Sequence, residues 1–163
     1  MNDISEQVQA WLPAWQGRVH GITVLGGGIT NKNYKVMVDE EAFVVRVCAP
    51  NVSVHGINRQ AEYQCNLAAA RLAISPELIA FLDNLPGGKA VFVHRFIEGR
   101  TLTSAEVRTS EHLATIVSII WRYHALTDFA GSFNVFRIFE NGLAFARAQN
   151  TPLPPLIDQV QVE

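Results

Sequence analysis

The chain has 163 residues, 48% of them apolar and 17% charged, with a net charge of -2. That composition suits a globular domain with a sizeable core and argues against broad nucleic-acid binding, which needs clustered lysine and arginine. No run of eighteen apolar residues is present, the start MNDISEQVQAWL does not resemble a signal peptide, and two cysteines make no disulfide framework. Reduced thiols in a cytoplasmic protein are the simplest expectation.

In chain order, Ile4, Val8, Trp11, Leu12 and Trp15 predict an amphipathic helix over 4–15. HGITVLG (20–26), NYKVMVD (33–39) and AFVVRVC (42–48) read as three antiparallel strands, the last two joined by a short turn at Asp39-Glu40-Glu41. After Pro50, INRQAEYQCNLAAARLAI reads as a helix with Ala61, Cys65, Ala68, Ala69 and Leu72 on one face. ELIAFLD (77–83) and KAVFVHRFI (89–97) are two further strands around the turn LPGG. The order is β-β-β-α-β-β, and a domain boundary is placed near Glu98-Gly99, dividing the chain into 1–98 and 99–163.

Beyond it, Thr103-Ser104-Ala105-Glu106 has the form of a helix start. Residues 111–126 carry apolar positions at helical spacing and predict a buried helix, followed by a loop and a short helix before a proline-rich tail.

Two features could carry chemistry. GGGITNKN, between strands, could bring backbone N–H groups against an anion, because no Cβ stands in the way. It is neither a Walker A loop nor a dinucleotide fingerprint, since no helix begins there, and alone it is compatible with a plain hairpin. Arg46 is more telling. It interrupts the apolar run FVVRV, and a charge there needs a partner unless it reaches water at an edge. Glu62, on the following helix, is the natural partner. Arg59 has two readings, pairing with a helix carboxylate or ordering the glycine-rich loop. His94 reads as a satisfied strand side chain. No metal-ligand spacing is found among the histidines and cysteines.

With GGGITNKNYKV, FVVRV, INRQAEYQ, LAISPELIAF and HRFIEGRTL in hand, the chain resembles the N-terminal half of the choline/ethanolamine kinase family. That family is part of the wider aminoglycoside phosphotransferase and protein-kinase-like group. The resemblance covers roughly residues 20–130. It implies an α+β fold, a kinase-like N-lobe with a five-stranded antiparallel sheet followed by the first helices of a helical C-lobe. It implies ATP and Mg²⁺ as cofactors and a small amino alcohol as acceptor, with an aminoglycoside, thiamine or sugar acceptor as the alternative. Gly26, Gly27, Gly28, Thr30 and Asn31 would form the loop over the phosphates, Arg46 would replace the strand lysine of protein kinases, and Glu62 would be its helix partner. The carbonyl of Arg95 and the N–H of Ile97 would read the adenine edge.

His124 and Asp128 do not have the spacing of the family's catalytic loop, and no later acidic residue or asparagine fits it. The catalytic Asp and Asn, and the metal ligands, are therefore expected beyond Glu163, leaving this chain inactive by itself. A piece of a longer enzyme, a short inactive relative and a recombinant product cut for expression all stay open. A non-catalytic binding module is the rival reading, and self-association through exposed C-lobe helices is expected.

Overall fold

Asp3 starts the first helix: its side chain accepts a hydrogen bond from the Ser5 N–H at 3.3 Å. In the computed structural model, which describes residues 3–26, 31–50, 56–127, 131 and 134–157, this helix is α1, Ile4–Trp11. The single helix expected over 4–15 is broken at Pro13. Leu12 leaves helical geometry (φ -126°, ψ 77°), as residues before proline do, and Pro13–Trp15 forms one 3-10 turn. The break swings Trp15 onto the sheet, where its ring meets Phe43 at 4.8 Å between centroids.

The described residues hold a five-stranded sheet: β1 (Val19–Leu25), β2 (Asn31–Val38), β3 (Glu41–Cys48), β4 (Leu78–Leu85) and β5 (Lys89–Arg95). Its spatial order is β1-β2-β3-β5-β4, every pair antiparallel. β5 lies inside the sheet with Ala90, Val91, Phe92 and Val93 all buried, which is why it reads as a continuous apolar run. Asp39 takes φ 51° in the β2–β3 turn, a conformation aspartate tolerates better than most residues. Gly87 and Gly88 take φ 79° and 68° in the β4–β5 turn, where a side chain would be strained.

Each face of the sheet has its own core. On one face Val36, Val38, Phe43, Val45, Val91 and Val93 pack against Val8 and Trp15. On the other, Cys48, Ala90 and Phe92 pack with Tyr63, Leu78 and Phe81. Each fully buried side chain of this size contributes roughly 1.5–3 kcal/mol. Tyr63 belongs to α2 (Arg59–Arg71), capped by Asn58, whose side chain accepts from the Ala61 N–H at 3.0 Å. Its ring stacks on Phe81, fixing α2 across the second face.

The remaining helices are α3 (Ser104–Val107), α4 (Ser110–His124) and α5 (Val135–Ala148). Thr103 and Glu106 form the expected capping box. The expectation that α4 is a buried helix is wrong: none of its residues is buried, and Trp121 is 74% exposed. Apolar periodicity marks a face to be covered, and among the described residues Leu113, Val117 and Ile120 on that helix stay exposed. α5 is longer than expected, with Leu143 buried and Ile138 lying against Gly56. Among the described residues no helix is long and apolar enough to cross a membrane, and no cluster of three metal-ligating side chains occurs.

Candidate functional site

Strand alternation decides where Arg46 points. Val45 faces the α1 core, so Arg46 projects to the opposite face. Cross-strand pairing sets it between Asn33 and Phe92, and its guanidinium carbon stands 4.7 Å from the Phe92 ring centroid. The buried ring is thus a floor beneath the cation, a favourable contact for a guanidinium.

α2 delivers the counter-charge. Glu62 sits in its first turn and accepts a hydrogen bond from Arg46 Nη2 through Oε1. Its other oxygen, Oε2, accepts from Arg59 Nη1 at 2.7 Å. Arg59 also donates from Nη2 to Asn31 Oδ1 at 3.3 Å, reaching the residue that opens β2 just after the glycine-rich turn. The pairing of Arg59 with the helix carboxylate is present, and its second bond reaches Asn31 at the start of β2; the glycine-rich loop of the other reading lies, at residues 27–30, outside the described residues. The side chains of Arg46, Glu62 and Arg59 are 24%, 24% and 11% exposed.

Two cations share one carboxylate, so the cluster carries a net positive charge. Burial opposes the charge on Arg46, but the hydrogen bond and attraction from Glu62 outweigh it and push the guanidinium pKa up. Among the described residues, the neighbouring titratable groups Cys48 and His94 add no negative charge. Burial pushes the Cys48 thiol up, against the opposing pull of Arg46 and Arg59. Burial, then Arg46, pushes His94 down and keeps it neutral, with Nε2 against Asn66 Oδ1 at 3.2 Å, the satisfied strand histidine expected. Among the described residues the Nε–H groups of Arg46 and Arg59 are buried without an acceptor. An excess cation with unanswered donors fits an anion with several oxygens, such as the phosphate chain of a nucleotide.

The other expected residues fall at two places. Gly26 follows β1 and would have nothing within 4 Å of an added Cβ, while Gly27, Gly28 and Thr30 lie outside the described residues. At the end of β5, the side chain of Arg95 turns away from Arg46. It bonds Glu77 at 3.0 Å and Glu41 at 2.6 Å, tying the ends of three strands. Ile97 lies just past the sheet and is 63% exposed. Sequence reasoning missed Lys35, which shares the Arg46 face and sets Nζ 3.9 Å from the Phe96 ring centroid and 3.3 Å from Glu98. The alternation Asn31, Asn33, Lys35 in a strand already paired to β3 was the available signal.

Residues 21–155 match the family described as phosphotransferase enzyme family. No curated protein sequence matches the chain. Among solved structures, aminoglycoside phosphotransferase APH(4)-Ia superposes with a TM-score of 0.55 at 13% identity, covering 96% of this chain and 56% of that one. A thermostable mutant of the same phosphotransferase, in ternary complex with AMP-PNP and hygromycin B, gives 0.54 at 15% identity, covering 94% and 55%. The chain thus spans little more than half the length of these structures. At such identities the likeness shows the fold, an α+β kinase-like architecture.

Proposed function

The chain belongs to the phosphotransferase enzyme family, and we propose that it forms the nucleotide-binding part of an ATP-dependent small-molecule kinase. The observation that carries this reading is the Arg46–Glu62 pair with its surplus positive charge, set beside Asn31 at the end of a glycine-rich turn. Arg46 neutralises phosphate charge, and Glu62 holds its guanidinium in place. Gly26, Gly27, Gly28, Thr30 and Asn31 cover the phosphates. The Arg95 carbonyl and the Ile97 N–H meet the base edge; with the Arg95 side chain engaged by Glu77 and Glu41, only its backbone is left for that task. ATP supplies the phosphoryl group. Mg²⁺ would accompany it, held by carboxylates and by the phosphates themselves, and a further carboxylate would serve as base for the acceptor hydroxyl.

The acceptor proposed from the sequence resemblance is choline, ethanolamine or a similar amino alcohol. An aminoglycoside is the second reading, supported by the fold shared with a phosphotransferase solved with hygromycin B.

Thermal unfolding with Mg-ATP tests the nucleotide site. At a nucleotide concentration of about 100 times Kd the native state gains about 2.7 kcal/mol, so the wild-type Tm should rise and that of Arg46→Ala should not. No rise in the wild type, or an equal rise in both, contradicts the reading.

A further inference from the structure

We propose that Arg59 is a second phosphate-binding cation, so that the site grips a nucleoside polyphosphate between two guanidinium groups held by one carboxylate. This rests on the nucleotide reading above and deepens it.

A helix arginine three residues from a glutamate is ordinarily a solvated surface pair worth a few tenths of a kcal/mol. Arg59 is built differently. Its side chain is only 11% exposed, and it reaches off its own helix to Asn31, 28 positions earlier in the chain. Burying a guanidinium this far is costly unless its charge and donors are answered. Glu62 answers half of the demand: Oε1 takes Arg46 and Oε2 takes Arg59, leaving a carboxylate with one charge between two cations. A buried Nε–H on each arginine has no acceptor among the described residues. The second core adds Cys48, Ala90 and Phe92 but no acidic group.

An anion answers the surplus charge, and one with several oxygens spread along a chain answers both arginines. Arg46 stands over the Phe92 ring and Arg59 reaches Asn31 at the start of β2. Both also converge on Glu62, so an anion with several oxygens, such as a phosphate group of a nucleotide, can answer the two together. Arg59 also links Glu62 to Asn31, so a phosphate that draws on it acts on the helix carboxylate and the start of β2 together.

Calorimetric titration of the full chain with ATP and with adenosine separates this role from a structural one. Arg59→Gln is expected to weaken ATP roughly tenfold to a hundredfold, the span of one charge-assisted hydrogen bond, and to leave adenosine unchanged. Should the glutamine variant not fold, Arg59→Lys carries the same test, because an ammonium keeps the charge but not the fork that reaches Glu62 and Asn31 together. It should weaken ATP selectively and by less. Equal weakening of ATP and adenosine assigns Arg59 to the scaffold and overturns the inference. So does wild-type ATP affinity in Arg59→Gln while Arg46→Ala has lost it, an outcome that leaves the nucleotide reading standing. A wild type that binds neither ligand sinks both.

Discussion

The sheet with α2 and the helices that follow it use similar apolar content in opposite ways. In the sheet, Phe92, Val36, Val45, Val91 and Val93 are fully buried, each face has its own core, and the strand ends are tied by Arg95 to Glu41 and Glu77. In α4 and α5, Leu143 is the one buried residue described, and Leu113, Ile120, Trp121 and Phe136 are exposed. Position matters for a charged site because an ion pair holds its geometry only where its scaffold is fixed. Of the Arg46–Glu62–Arg59 cluster, Arg46 stands on the buried sheet, and Glu62 and Arg59 stand on α2, which has no fully buried residue and is held to the sheet through the partly buried Tyr63.

The contrast can be broken most sharply at Phe92. Phe92→Ala removes a fully buried ring and the floor under Arg46, and should cost about 3–5 kcal/mol by denaturant unfolding. A loss under about 1 kcal/mol would mean the second core is not packed as described. Next in size is Arg46→Ala, expected to cost about 2 kcal/mol because Glu62 keeps Arg59 as a partner and is not left unpaired. A double-mutant cycle of Arg46→Ala with Glu62→Gln measures this coupling, and additive losses would deny the pair.

Gly56 tests where the two halves meet. It takes φ 70°, and an added Cβ would lie 2.6 Å from Ile138 Cδ1. Gly56→Ala should cost about 1 kcal/mol or more through strain and that contact, read by thermal or denaturant unfolding. A neutral Gly56→Ala would place α5 elsewhere.

α3 is stabilised locally rather than by packing, and pH should expose this. The hydrogen bond from Arg100, then the Thr103 backbone and hydroxyl, hold the Glu106 carboxyl pKa down from 4.5 to about 2. A depressed carboxyl contributes stability that is fully present above the unfolded value of 4.5 and is lost as pH falls through about 2. Side-chain carboxyl NMR should therefore titrate with a midpoint near 2; a midpoint near 4.5 would remove the capping contacts. The smallest effect is expected at Trp121. Because it is 74% exposed, Trp121→Ala should change stability by no more than about 0.5 kcal/mol. A loss matching that of Phe92→Ala would erase the contrast between the halves.

Much of the packed half could be read from sequence, for identifiable reasons. The strands begin and end within two residues of expectation because alternation and turn residues mark them locally. Arg46 stood out as a cation inside an apolar run, and the nearest helix carboxylate proved to be its partner. What escaped was non-local. The β5 crossover between β3 and β4 depends on pairing that no local pattern encodes. The dual grip of Arg59 depends on Asn31 folding back to α2, and Lys35 gains meaning only beside Phe96. In α4 the periodicity was read correctly as a helix but not its environment, because a 3.6-residue pattern shows an apolar face and is silent about what lies on it.

Hydrogen–deuterium exchange with and without Mg-ATP tests most directly whether the nucleotide site belongs to the sheet and α2. The expected result is slower exchange in β2 near Asn31, in β3 around Arg46 and in the first turns of α2, with α4 and α5 unchanged. Protection confined to α4 and α5, or none anywhere at saturating nucleotide, would contradict it.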